Sequence, residues 1–401
     1  MTPPALARTE RLYHHDPYLL DFEATVTGRW QHEGRLAVTL DRTAFYPESG
    51  GQPFDTGTLS GVPVLAVIEE GLGVLHVLGA ALEESRVQGR VDGERRRDHR
   101  QQHHGQHLLS RALVDLFSAR TVSFHLGAEA SSIDLDREVS EEQVRAAEDR
   151  TNEVVWEARP VEVKVVSRAE ARALGVEPPP EAGEAIRLVE ARGFDLQPCG
   201  GTHPRSTAEV GVVLVLDRER YKGGSRVRFV CGHRALAAVR ERTAVLDRLG
   251  ALLCAPLSGL PEAAQRTLAA LAEATRQGRL LRERALEVEA RRLLATAAPP
   301  AAVVSVYDGW PPEDLRALAM QLVALSPCVA LLGSRGDKAH LVFAQSPGLP
   351  HDIPALLKAA VETVGGRGGG RGDLAQGGGE RPALLDEALA RAAAAVRAKA
   401  G

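Results

Sequence analysis

The chain has 401 residues, 44% of them hydrophobic and 25% charged, with a formal net charge of −4. That length gives room for two or three domains with their own cores, the composition is that of a soluble globular protein, and no apolar run approaches the ~20 residues of a membrane span. The charge balance counts against a partner held by overall basicity, although the clusters at 95–100 and 218–228 leave local positive fields that an RNA end can approach. The N-terminus, Met1-Thr2-Pro3-Pro4, lacks the charged-then-apolar pattern of a signal peptide. The four cysteines, Cys199, Cys231, Cys254 and Cys328, are scattered without disulfide-framework spacing, which fits a reducing cytoplasm.

Residues 1–94 read as a β-rich domain. Residues 21–28 and 35–40 alternate as strands do, whereas 62–68 and 73–78 are evenly apolar and read as buried strands, with Pro63 near the start of its own. Short strands with frequent turns predict a small β-barrel. Between them lies Phe45-Tyr46-Pro47-Glu48-Ser49-Gly50-Gly51-Gln52-Pro53-Phe54-Asp55-Thr56-Gly57. Its prolines fix φ and its glycines permit turns and close backbone approach, so most of it reads as a structural loop.

Residues 95–233 read as an α+β domain with a mostly antiparallel sheet. A helix carries His103 and His107 and runs on through Leu108, Leu109, Leu113 and Phe117. Residues four apart stand one turn apart on one helix face, so the two imidazoles can grip one metal ion; His104 is off that face and is not counted as a ligand. Cys199 and His203 repeat the four-residue spacing beside a Gly-Gly turn, and three histidines with one cysteine suit zinc. If all four bind, the site is closed and the metal orders the pocket; if one is loose, the metal is open to substrate or water, and the sequence leaves both open. Gly200, Gly201 and Thr202 either offer backbone donors to an oxyanion or form a purely structural turn. Residues 121–126, 132–135, 161–166, 210–216 and 226–230 read as strands, and Ser140 with Gln143 predicts a capping box at a helix start.

Residues 234–298 turn helical, with Leu236, Val239, Leu246, Leu249 and Leu253 on one stripe and Leu268, Leu271, Leu281 and Val288 on the next. This predicts an antiparallel, coiled-coil-like helical hairpin arm, a linker or a dimer contact. Residues 299–401 read as an α/β domain. Its glycine-rich stretch at 365–379 predicts an anion-binding nest before a helix over 382–399, with Arg367 and Arg371 at hand; the Lys-Ser/Thr pair of a phosphate-binding Walker loop is missing.

Four of these stretches, in this order, resemble the alanyl-tRNA editing (AlaX) family and the matching parts of alanyl-tRNA synthetases. YPESGGQPFDTG is similar to their YPxxGGQPxDxG signature. HHGQHLLS and DLQPCGGTH resemble their two zinc motifs, with His104 where the family commonly has threonine. GGRGGGRGDLAQGGG resembles the GGKGGGRxDxAQxGG motif of their C-terminal domain. The resemblance is to the long type that carries this C-terminal domain. It implies trans-editing: a zinc-containing hydrolase that removes serine, or glycine as well, from mischarged tRNA(Ala). The helical arm and C-terminal domain are the expected places for a homodimer contact. The sequence names no catalytic group beyond the zinc site.

Two other classes fit the residues: a tRNA-binding or dimerisation protein with a structural zinc and no turnover, and a metal hydrolase acting on a small ester or amide. Choosing serine over alanine needs a polar group that pairs the hydroxyl. Thr121, Ser123 and His125, expected on one strand face, with Ser131, Ser132 and Gln106 nearby, are the candidates.

Overall fold

Alternation lets a strand bury one face and wet the other, and a few short strands can then wrap a sheet around its own apolar face. In the computed structural model, which describes residues 6–180, 183–297 and 301–398, six strands do so. Asp21–His32, Arg35–Leu40, Gly73–Leu78, Val62–Glu70, Gly57–Leu59 and Arg86–Val91 pair antiparallel in that order, and the last returns to the first. Phe22, Val38, Leu40, Phe45, Leu59, Val67 and Leu78 form the core. Gly73–Leu78 is buried throughout, as its apolar run predicts. Val62–Glu70 is not: Leu65 is exposed, because the outer face of this strand is left uncovered there. Met1-Thr2-Pro3-Pro4, the expected domain limit at 298–299 and Lys399 lie outside the described residues.

The helix Gly93–Phe117 follows directly. Asp92 caps it, accepting from the N–H groups of Glu94 and Arg95. Leu108, Leu109, Ala112 and Leu113 bury against Ile133, Val227 and Phe229 and against Val144, Ala147 and Val154 of the helix Glu141–Trp156; each leucine so buried contributes ~1.5–3 kcal/mol. Ser140 and Gln143 make the predicted capping box. The sheet beneath is four-stranded and antiparallel, in the order Val213–Tyr221, Gly224–Cys231, Ser131–Leu135, Thr121–Leu126. A second antiparallel sheet, Val161–Ser167, Ala185–Ala191 and Asp195–Pro198, ends one residue before Cys199. The mixed α+β class predicted for this region is what forms.

The chain divides into two compact units, Met1–Arg248 and Leu249–Gly401. The expected helical region is two helices, Gly232–Leu253 and Leu260–Ala295. Leu246 and Leu249 on the first, and Leu268, Leu271 and Leu281 on the second, are exposed. Near the end of the second helix, Leu286, Ala290 and Leu293 pack on Leu315, Leu318 and Leu322 of the helix Pro312–Leu325. Among the described residues no single helix is long and apolar enough to cross a membrane.

The second unit holds a five-stranded sheet in the order Ala301–Asp308, Cys328–Arg335, Ala339–Gln345, Leu374–Gly379, Gly366–Arg371. Its first pair is parallel and the rest antiparallel, so the unit is mixed rather than the alternating α/β arrangement expected. The glycine-rich stretch is also not a nest before a helix. It is a β-hairpin, Gly366–Arg371 with Leu374–Gly379, at the sheet edge. The reason is steric: a Cβ on Gly368 would come 2.8 Å from the Cα of Gly377 and 3.0 Å from Leu357 of the helix Ile353–Thr363. Most of its glycines serve close packing, Gly369 being open, and positive φ is confined to Gly365 and to Gly372 in the turn.

Candidate metal centre

His103 and His107 stand one turn apart on the helix Gly93–Phe117, both buried. The loop leaving the strand Asp195–Pro198 brings Cys199 and His203 over them. The four side chains each offer a ligand atom, and these atoms lie within 4.8 Å of one another. Cys199 Sγ is 3.4 Å from His103 Nε2 and 3.2 Å from His203 Nε2. The four residues expected as ligands therefore form one group able to hold a metal ion.

The electrostatics suit a cation. Burial alone would raise the Cys199 thiol, but His103, His203 and His107 outweigh it and hold its pKa well below the ordinary value, so the thiolate is favoured. Burial pulls His107 down, yet the Cys199 thiolate and the Asp195 carboxylate outweigh it, and its pKa rises to about 9. For His203 burial dominates over the pull of the same thiolate, and its pKa falls to about 3. A buried thiolate set among three imidazoles suits a soft-to-borderline cation, which would displace the proton that His107 holds.

Each imidazole has an outer partner, and these were not legible as site residues. His103 Nδ1 donates to Gln52 Oε1 at 2.9 Å, because an amide oxygen only accepts; this leaves Nε2 with its lone pair toward Cys199. Gln52 is fully buried. Its oxygen also accepts from Thr202 N at 3.0 Å, and its amide nitrogen donates to Thr202 Oγ1 at 3.0 Å, so one side chain of the Gly-rich loop ties both halves of the site together. His107 Nδ1 is 3.5 Å from Asp195 Oδ2, an ion-pair distance without a close hydrogen bond. His203 Nδ1 meets His104 Nδ1 at 3.2 Å. Glycine is required at 201, where any Cβ would run into the His103 ring. At Gly51, with φ of +76°, a Cβ would run into Phe124. The GGQ triplet was the available signal for Gln52, but its partners are 51 and 150 residues away.

The remaining candidates divide. Gly200 is exposed, Gly201 N donates to Cys199 Sγ at 3.3 Å and Thr202 N to Gln52, so two of the three expected oxyanion donors are committed to holding the turn. Thr121, Ser123 and His125 do not share a face. A bulge sets Ser123 opposite Asp134 and Thr121 opposite Leu135, which reverses the alternation at Val122. Thr121 turns toward the histidine helix, bonded to Ser110 Oγ at 2.7 Å, and Ser110 accepts from Gln106 at 2.9 Å. Phe124 also faces the helix, its ring 5.9 Å from that of His103. Ser123 donates to Asp134, His125 is exposed, and Ser132 pairs with it; Ser131 is buried.

The basic clusters are only partly open: Arg97, Arg220 and Lys222 are exposed, but others are engaged. Arg96 is fully buried and forks onto Asp55, Arg100 stacks 3.8 Å from the Tyr18 ring centroid, Arg226 is paired with Asp134 and Arg228 with Asp217. Arg367 and Arg371 are exposed and four apart on an edge strand, hence on one side of it.

Residues 186–229 match the family described as the threonyl and alanyl tRNA synthetase second additional domain, and residues 299–398 match the DHHA1 domain. The chain is 31% identical over 383 residues to the alanyl-tRNA editing protein AlaX-L of Pyrococcus horikoshii, covering 92% of this chain and 94% of that one. It is 32% identical over 405 residues to the alanine–tRNA ligase of Pyrococcus abyssi and 34% identical over 410 residues to that of Natronomonas pharaonis, covering 42% and 43% of those proteins. It thus spans less than half the length of these ligases. The solved C-Ala domain of the Aquifex aeolicus alanyl-tRNA synthetase is 34% identical over 22% of this chain and 83% of that one, with a TM-score of 0.21.

Proposed function

The chain belongs to the alanyl-tRNA editing (AlaX) family and is an aminoacyl-tRNA deacylase, and on that premise we propose that it hydrolyses tRNA(Ala) wrongly esterified with serine, and with glycine, at a zinc centre held by His103, His107, Cys199 and His203. The observation that carries this reading is the convergence of three imidazoles and a thiolate from two distant stretches. The donor set favours zinc, whose tetrahedral bonds of about 2.3 Å to sulfur and about 2.05 Å to nitrogen set S and N about 3.5 Å apart. The 3.4 and 3.2 Å separations at Cys199 are in keeping with that geometry. Bound there, zinc would order the pocket or act as a Lewis acid toward the ester and its attacking water. The protein's own part is to hold the pocket: Gln52 and Thr202 fix the turn against the helix, and burial shields the three histidines from bulk water.

Serine and alanine differ by one hydroxyl, so size exclusion cannot remove the larger and spare the smaller. A buried polar group that pairs the hydroxyl can, because the analogue leaves it unsatisfied. The chain Gln106–Ser110–Thr121, beside the histidines, is the set we assign to that task. Seryl-tRNA(Ala) is then expected to be deacylated at least ~10-fold faster than alanyl-tRNA(Ala). Glycine lacks the hydroxyl and is admitted by fit alone. Initial rates on the two purified substrates check this, and equal rates contradict hydroxyl reading. Binding of the tRNA without turnover would favour the rival reading, a tRNA-binding protein with a structural metal.

The second unit supplies tRNA affinity or self-association rather than chemistry. The metal-ligating group found among the described residues lies wholly in the first unit, while the exposed Arg367 and Arg371 suit phosphate oxygens.

A further inference from the structure

A metal-bound imidazole uses one ring nitrogen as a lone-pair donor, and its other nitrogen, which carries the hydrogen, needs an acceptor to fix the ring. At His103 that acceptor is an amide oxygen and near His107 it is a carboxylate. At His203 it is a fourth imidazole: with Nε2 turned toward the Cys199 sulfur at 3.2 Å, Nδ1 faces Nδ1 of His104, also at 3.2 Å. The two rings meet nearly edge to face, at 78°. His104 is fully buried, and its own Nε2 has no hydrogen-bond partner among the described residues. Two N–H groups cannot point at each other across that gap. If His203 lends its Nε2 lone pair to a metal, its Nδ1 holds the hydrogen, and His104 Nδ1 must accept it. The hydrogen of His104 is then on Nε2, which accounts for the unpartnered buried nitrogen as the cost of keeping Nδ1 free to accept.

We propose that His104 is a positioning residue: its Nδ1 accepts from His203 Nδ1–H, fixing the tautomer and ring angle that aim His203 Nε2 at the metal. The inference rests on the zinc reading above. It is specific to His104, which shares a helix with the ligands but lies off their face.

The test compares His104→Leu with His104→Asn in the full chain. Leucine fills the space and removes the acceptor. Asparagine leaves a smaller side chain but sets an amide oxygen where Nδ1 stands. Zinc affinity is measured by chelator competition, and the ligand field by the visible spectrum after cobalt(II) loading. A positioning role predicts ~10–100-fold weaker zinc binding and an altered cobalt spectrum in His104→Leu, with His104→Asn within a few-fold of wild type on both readouts. A packing role predicts the reverse order, since leucine is the better filler. Equal affinities in the two variants, or the reverse order, overturn the proposal. Should His104→Leu not fold, a ~10-fold or greater loss in folded His104→Asn overturns it, and near-wild-type affinity upholds it. Absence of zinc binding by the wild-type chain would instead overturn the zinc reading itself, so the two failures are separable.

Discussion

Replacing His103 or Cys199 with alanine is expected to strip the bound metal and abolish deacylation. Each supplies an atom to a four-donor group whose members come from two stretches 96 residues apart, so losing one leaves a three-donor site and removes the Cys199–His103 contact between the turn and the helix. Cys199→Ala also removes the sulfur that accepts from Gly201 N, and with it the only negative ligand in the group. Metal content by elemental analysis and single-turnover deacylation are the checks. Full occupancy with full activity in both variants would remove the metal centre from the mechanism.

Arg96→Ala is expected to destabilise the fold by ~3–5 kcal/mol, the range for breaking a buried ion pair by removing one partner. Arg96 and Asp55 are both fully buried. The guanidinium also donates to the carbonyls of Pro17 and Ala44, so the alanine variant leaves the Asp55 carboxylate buried without its counter-charge, held by Tyr46 N alone at 2.7 Å, and takes a donor from each carbonyl. The same ion pair fastens the loop that carries Gln52 to the helix that carries His103, so metal affinity should fall with stability. Denaturant unfolding against wild type measures the first effect; a loss under ~1 kcal/mol would mean the pair is compensated by water or rearrangement.

Local rules were legible and long-range ones were not. The four-residue spacings of His103 with His107 and of Cys199 with His203 follow from helix and turn geometry, and Ser140 with Gln143 marks a helix start by backbone chemistry alone. Nothing local says that Gln52 reaches His103, because that contact depends on how a loop of the closed sheet lies on the helix. Thr121 and Ser123 were assigned one face because strict alternation was assumed; the bulge at Val122 changes the parity, and a bulge has no signature in that stretch. The arginines at 95–100 read as surface charge, yet Arg96 is buried because Asp55, 41 residues earlier, meets it. The glycines at 365–379 read as an anion nest, whereas close approach of two strands and a helix demands glycine at positions such as Gly368 and Gly377 for a different reason.

The central claim is that this centre removes serine from tRNA(Ala) and needs its metal to do so. The most direct measurement follows seryl-tRNA(Ala) deacylation by the full chain as purified, after chelator treatment and buffer exchange, and after zinc is restored. The account predicts that activity is lost with the metal and returns with zinc, while the stripped protein stays folded by circular dichroism. Undiminished hydrolysis by protein shown to be metal-free would contradict it.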